Sequence, residues 1–586
     1  MNYHLEIVEK DSGKFYRFKH SYRENGKVKN KRIYLGKEEI ALKLLMDFST
    51  KKPDKEILLS YSGELILSKI AKTLQFSEVI NEVIQKRAKF DVGHFMTLLV
   101  IERCLNNVSK WGLAQKVHQN SFFSLDPLLK EAYFVEDNIY NYMDYISPVL
   151  HKIQSRLVER LLRNGQVALD EFILDGTSIH CYGEDTEENE AAEDEAAEEG
   201  EPGDDEPIPE AEGALKRKRG YSRSKRPDLA QINLILGVNG QYFPLLYETF
   251  SGNTADVVMF EHILALAQTD YPHLLEAIQN RYLIFDRGNN NPANLKEVDA
   301  ICHKWQFYFI AGIRSSMVRA ELSSLKKEAL TEIYVQKKTR LYGKTMTKKI
   351  YGKDRLVLLY LNEETALRKK DQFLTFLDKI QKAIALVTQK GTPLEEQKQE
   401  IDSLLKKYHL RRCFEVRMDE AQVTCTPIES KLQAKTALFG KFALITNDFR
   451  LQAAEIVRIY KTNKIVEREF HLLKSLFQIG PFFHRRPDRI RTHFALVTWG
   501  ILFCAFLRSY LIQNQMAFSF EELLDILKSG YLSMGEYNYP GSKMFVISKT
   551  LNINEPLKKI LHVLDLKYEY FDIKVGSTQG IQSKRR

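Results

Sequence analysis

The spacing of apolar and polar positions changes character several times along this 586-residue chain. Residues 14 to 35 alternate aromatic with basic side chains around Asn25-Gly26, a dipeptide tolerant of positive φ and the strongest short-range hairpin signal. From about Ile66 to Leu162 the period is helical: Phe95, Leu98, Leu99, Ile101 and Leu105 suit one buried helix, and Ile139 to Leu162 another. Strand-like runs then take over. Val167 to Tyr182 reads as a strand, Gln231 to Val238 as a second, and Asn239-Gly240 turns the chain into a third, Gln241 to Phe250. A helix from about Asp256 to Gln268, with Asn253 and Thr254 as expected caps, precedes a fourth strand, Arg281 to Phe285. Asp286 ends that strand, and Gly288 and three asparagines follow. A helix from Pro292 to His303 then leads to a fifth strand, Phe307 to Ile313.

Three strands in hairpin order, then helix, strand, helix, strand, predict an α/β fold. The expected form is a ribonuclease-H-like mixed five-stranded sheet with flanking helices. Residues 315 to 437 break the pattern with a strand pair (Thr347 to Leu361), two helices (Glu364 to Thr388 and Pro393 to Tyr408) and a strand at Phe414 to Val416, which predicts an inserted α+β subdomain. Lys441 to Thr446 resumes the core, and a closing helix follows Leu451. The expected division begins with a basic β-hairpin module (1–60) and a helical N-terminal domain (61–165). A catalytic core follows in two segments, 166–314 (with an acidic insert at 184–215) and 438–515, separated by the inserted subdomain (315–437) and closed by a C-terminal helical cap (516–586).

Composition sharpens this picture in one respect. The formal charge of +9 conceals a tract, Glu184 to Glu212, with sixteen Asp and Glu and no Lys or Arg; the rest of the chain therefore carries +25. The tract is too polar to bury a core and reads as disordered, while the body has the charge of a polyanion binder, with nucleic acid the first candidate. Between Lys14 and Arg32 there are eight basic residues and one acid, and Lys216 to Arg226 holds seven basic residues in eleven. Six cysteines form no CxxC pair, so neither a zinc signature nor a disulfide framework is expected, and a reducing cytoplasm fits. No signal-like apolar stretch opens the chain. The largely apolar segment from Phe494 to Leu507, fourteen residues long, falls short of the roughly 20 that span a bilayer, so a buried core helix and no membrane partner are expected.

The candidate chemistry rests on acids at separate places. Asp286 sits at the carboxyl end of a strand, where α/β sheets gather ligands, and Asp175 lies in the first strand, the expected neighbour of the fourth. Asp170 and Glu171 are local competitors; Glu171 shares a face with Asp175 and Asp170 points the other way. From Ile459 to Phe477 a single α-helix would carry Tyr460, Glu467 and Lys474 at seven-residue steps, lining one face about 10 Å apart. Ile465, Phe470, Leu473 and Phe477 form the opposite, apolar stripe. Glu469 competes with Glu467, but the two diverge by about 200° and cannot both face a site. Asp, Asp and Glu without His or Cys form a hard-oxygen set suited to two Mg²⁺ ions, with Mn²⁺ as a substitute, and to phosphodiester chemistry.

These motifs resemble a DDE transposase of a bacterial insertion sequence, most of all the insertion-sequence-four superfamily, whose third acid lies in a Tyr-Arg-Glu-Lys signature. "YKTNKIVEREFHLLKSLF" (Tyr460 to Phe477) has the signature's spacing, "FILDGTSIH" resembles the first-acid strand and "YLIFDRGNNN" the second. "RPDLAQINLILGV", "FSGNTAD", "ALITND" and "PFFHRRPDRIRTHFAL" resemble the intervening and following segments, so the likeness runs from about residue 165 to 510, with a weaker echo in "SYRENGKVKNKRIYLG". The signature arginine falls on Asn463, with Lys464 beside it.

The resemblance implies Asp175, Asp286 and Glu467 as catalytic and metal-binding residues. It implies double-stranded DNA, both transposon ends and target, as substrate, and a homodimer bridging two ends. DNA contacts are expected from Tyr460, Lys464, Lys474, His484, Arg485 and Arg486. The alternatives are a catalytically impaired or repurposed DNA-binding protein, and a structure-directed nuclease of the same fold. The expected location is the bacterial cytoplasm, nucleoid-associated when bound to DNA.

Overall fold

The computed structural model describes residues 4–24, 27–50, 52–84, 91–107, 109–116, 133–185, 215–222, 226–336, 339–389, 391–408, 410–537, 544–567 and 571–576. Most of the acidic tract, and the Asn25-Gly26 turn itself, lie outside them. The chain opens as an antiparallel sheet of β1 (His4–Lys10), β2 (Gly13–Glu24) and β3 (Lys27–Lys37), in which Glu24 pairs with Lys27 across the expected turn. After β4 (Lys55–Ser60) comes a helical region that includes Ser62–Thr73, Phe76–Val83, Val92–Leu105, Glu136–Ile146 and Leu150–Arg163. Asp91 caps the third of these by accepting the His94 N–H at 2.8 Å. The helix expected from Ile139 to Leu162 is two helices, because Ser147-Pro148-Val149 forms a 3₁₀ turn between them.

The central sheet begins with β5 (Glu171–His180), β6 (Gln231–Asn239) and β7 (Pro244–Ser251). It continues through β8 (Tyr282–Phe285) and β9 (Tyr308–Gly312), separated by the helix Pro292–Trp305. Then follow β10 (Thr331–Gln336), β11 (Thr339–Ile350) and β12 (Lys353–Asn362). A two-stranded ribbon of β13 (Phe414–Met418) and β14 (Val423–Pro427) precedes β15 (Lys441–Thr446). The sheet has nine strands, ordered β10-β11-β12-β15-β9-β8-β5-β6-β7, rather than the five expected. Its first five strands in the chain stand in the spatial order third, second, first, fourth, fifth, and β8 runs parallel to both β5 and β9. All nine residues of β6 are buried, as a strand covered on both faces requires.

Residues 315–437 do not form one separate unit. β10, β11 and β12 join the main sheet through β12 against β15 (Val357 opposite Ile445), because β12 carries a continuous apolar run, Leu356 to Leu359, that a sheet interior can bury. The long helices Glu363–Gln389 and Leu394–Lys407, with the β13–β14 ribbon, build a small core of their own around Ile380, Ile401, Leu405 and Phe414.

The C-terminal region also differs from the helical cap expected. Its helices Phe520–Leu527 and Glu555–Val563 are interleaved with β16 (Tyr531–Tyr537), β17 (Met544–Leu551) and β18 (Phe571–Gly576), and β16 pairs with β4 from near the start of the chain. Helix Pro487–Gln513 runs through the shared core. The Trp499 indole donates to Gln154 Oε1 at 2.8 Å, and Gln154 Nε2 donates to the Pro244 carbonyl at 2.9 Å, tying the core helix, the helical region and β7 together. This helix is the one among the described residues long and apolar enough to cross a membrane, and 78% of its most apolar window is buried within the protein.

Candidate active site

Strand register brings two of the three predicted acids together. In the parallel pair β5–β8, Leu174 stands opposite Phe285, so Asp175 and Asp286 are the next residues on adjacent strands, whose backbones lie about 4.8 Å apart. Asp175 Oδ1 accepts the N–H of Gly176 at 2.8 Å. Asp286 leaves its strand in extended conformation and opens a 3₁₀ turn, Arg287–Asn289. The asparagines beyond it hold that turn: Asn290 Nδ2 donates to the Gly312 carbonyl at 2.8 Å, and Asn291 caps the next helix through the Asn294 N–H at 3.0 Å. Both aspartates line a pocket of about 250 Å³, with Gly176, Thr177, Ile235, Asp256, Met259, Gly288, Asn289 and Phe470.

A third acid in this pocket, Asp256, was not singled out in the sequence. It begins the helix Asp256–Asp270, and a Cβ on Gly288 would lie 3.6 Å from its Oδ2. The helix is not capped by Asn253 or Thr254 as expected; Ala255 occupies the cap position and makes no side-chain cap bond. Asp256 closes the quoted "FSGNTAD", so its position at a helix start following a strand was the available signal.

Tyr460 belongs to the same cluster. Its phenol donates to Asp286 Oδ1 at a long 3.5 Å, and burial, followed by the charge of Asp286, pushes its pKa well up. It keeps its proton and stands as a donor to the acid. Tyr360 on β12 faces the same carboxylate and is pushed up to about 12 by burial and by Asp286. Gly312 makes room: a Cβ there would sit 3.2 Å from the Tyr460 oxygen and 3.0 Å from the Arg287 nitrogen.

The closing helix is not one regular α-helix. It is α over Ala453–Tyr460, 3₁₀ over Lys461–Asn463, α over Lys464–His471 and π over Leu472–Leu476. A 3₁₀ residue turns about 120° rather than 100°, so the step from Tyr460 to Glu467 turns about 760° instead of 700°, which takes Glu467 from about 20° short of two full turns to about 40° past them and leaves it on nearly the same side as Tyr460. Glu467 is exposed, and the residue its helix contributes to the pocket lining is Phe470. Glu469 is fully buried, both carboxylate oxygens lack hydrogen-bond partners, and desolvation raises its pKa well above the usual range despite the opposing charge of Arg508. Among the described residues no three acidic, histidine or cysteine side chains are grouped closely enough to hold a metal ion.

The competitors near Asp175 lie elsewhere: Asp170 pairs with Arg281 at 3.4 Å, and half-buried Glu171 is raised by desolvation. Of the expected DNA contacts, Lys464, Arg485 and Arg486 are exposed, with Arg486 held 3.0 Å from Asp144, and Lys474 is partly buried. His484 is partly buried against Tyr140 and His493, and burial drives its pKa down to about 3.

The mixed sheet, with Asp175 within β5 and Asp286 at the end of the adjacent β8 lining one pocket, defines an α/β protein with an acid-based site. A family model described as the transposase DDE domain matches residues 168–503, more than half of the chain, and spans every strand from β5 to β15. The chain belongs to the transposase DDE domain family. No curated protein matches it.

Proposed function

We propose that this transposase binds the terminal inverted repeats of an insertion sequence of the insertion-sequence-four superfamily, cleaves DNA there and joins the freed 3′ end to target DNA, working as a homodimer on a ribonuclease-H-like core. The observation that carries the reading is the meeting of Asp175 and Asp286 at one pocket in a chain of this family. The pocket's donors are carboxylate, hydroxyl and amide oxygens with neither His nor Cys, a set that fits a hard divalent cation such as Mg²⁺. Asp175 and Asp286 would hold it, with Asp256 at the same wall. When bound, such ions polarise the phosphodiester and lower the pKa of an attacking hydroxyl or water. The protein's own role is to orient: Tyr460, kept protonated, directs its O–H at Asp286, while Lys464, Lys474 and Arg485 supply positive charge for the DNA backbone.

The test is nicking of a linear duplex carrying the element's ends. Mg²⁺-dependent cuts at the repeat boundary, lost on chelation, are expected; salt-sensitive binding without any cut would overturn the enzymatic reading. A second reading, a DNA-binding protein with impaired catalysis, is favoured by one feature: Glu467 is exposed outside the pocket lining, with Asn463 at the signature's arginine position. It predicts that same binding without cleavage. A structure-directed nuclease would instead cut duplexes lacking the repeats.

A further inference from the structure

Strand and helix form a track that leads away from the acid pair. On β5, His180 lies five residues beyond Asp175, about 17 Å at a strand's rise. On the closing helix, Tyr460 touches Asp286, and past the helix end Phe482 bridges Cys181, the residue after β5. Helix and strand therefore run side by side in the same direction.

At the far end the backbone is locked. Cys181 bridges Phe482 in parallel, the Tyr182 N–H donates to the Phe482 carbonyl at 3.1 Å, and Arg217 Nη1 donates to the Tyr182 carbonyl at 3.0 Å. Arg217 is itself buried and fixed to Asp185 at 2.8 Å. These bonds hold the rings of Tyr182 and Phe483 stacked, centroids 4.5 Å apart and planes 19° off parallel, while 48% and 72% of the two residues remain exposed. Arg485 and Arg486 follow Phe483 on the surface, with Arg486 paired to Asp144 at 3.0 Å, while Glu184 and Asp185 follow Tyr182 and pair with Arg219 and Arg217. Rigid, exposed aromatic faces with Arg485 two residues away suit a nucleic acid strand whose bases are free to stack, since paired bases within a duplex present no open face.

We infer that the Tyr182–Phe483 pair is a stacking platform for an unpaired nucleobase of the DNA substrate. The inference rests on the DNA-transposase reading above. Tyr182 is seven residues past Asp175, about 23 Å, so the captured base lies some six or seven nucleotide steps from the cleaved phosphodiester.

The test uses the full chain carrying Asp286→Asn, without metal, so that binding is read apart from cleavage. Duplexes bearing the element's end and a single mismatch, placed in turn at each of the flanking positions, are titrated by anisotropy, with 2-aminopurine reporting the mismatched base. A preference of about tenfold for the mismatch at six or seven steps over the matched duplex is expected. Tyr182→Ala with Phe483→Ala should abolish it while leaving matched-duplex affinity and melting temperature in place, and Tyr182→Phe with Phe483→Tyr should retain it. No preference at any position, or a preference that survives the double alanine change, overturns the platform. So does loss of self-association in the alanine variant with the mismatch preference intact, which would make the patch a protein interface. Failure of wild type to nick would sink the proposed function instead, and leaves this binding readout interpretable.

Discussion

The strand-borne acids and the helix-borne acids of this protein follow opposite logics. Asp175 and Asp286 are placed by a parallel ladder whose pairing of Leu174 with Phe285 leaves the next residues one position to occupy. Glu467 and Glu469 stand two residues apart on one α segment, Lys464–His471, about 200° around it, so one carboxylate faces solvent and the other the core. A ladder transmits register across a sheet one hydrogen bond at a time, whereas a helix accumulates angular error along its length. The contrast locates what is rigid in the site and what has freedom to adjust.

The largest expected effect tests the rigid half. Asp286→Asn should reduce cleavage by about a thousandfold or more while leaving end binding within a few-fold, because it removes an oxygen donor from the pocket without changing its shape. A variant cutting near the wild-type rate would take Asp286 out of the site. The next test sets the helix against the pocket wall. Glu467→Gln is expected to lower the cleavage rate by about a hundredfold and Asp256→Asn by about tenfold, the range for a group acting on or beside a metal ligand. The reverse order would transfer the third acid's role to Asp256. Lys474→Ala should weaken DNA binding and flatten the slope of log affinity against log salt by about one unit, with the cleavage rate of bound DNA little altered. An unchanged slope would place Lys474 away from phosphate.

The buried helix acid gives the smallest effect and a defined sign. The folded-state pKa of Glu469 is raised, so the folded protein holds a proton that the unfolded chain releases above about pH 4.5; its contribution is complete below that pH and declines as pH rises toward the folded value. Glu469→Gln removes this penalty, and its stability relative to wild type should grow with pH between 5 and 7, by at most about 1.4 kcal/mol per unit. Urea unfolding at several pH values measures it. A difference that stays flat with pH would mean that Glu469 is ionised in the folded protein.

Much of this was readable in the chain itself. Element type and position follow from local pattern: the β15 strand was expected at Lys441 to Thr446 and spans those residues, and the helices at Pro292 and Asp256 begin where Pro and Asp mark a first turn. The two aspartates were legible because each ends or interrupts an apolar strand. Asp256 was passed over because an acid at a helix start has an ordinary role in the helix dipole, and nothing local reports the pocket behind it. The pairing of β16 with β4 and the joining of β12 to β15 were equally out of reach, since each partner lies far away in sequence.

Local periodicity and charge, carried by neighbouring residues, thus determined the α/β character, the basic body and the acids to watch. Only the tertiary structure decided which acids meet. Convergence depends on strand order across many residues: Asp175 and Asp286 become neighbours because β5 and β8 pair in parallel register, which no spacing of side chains along the chain records.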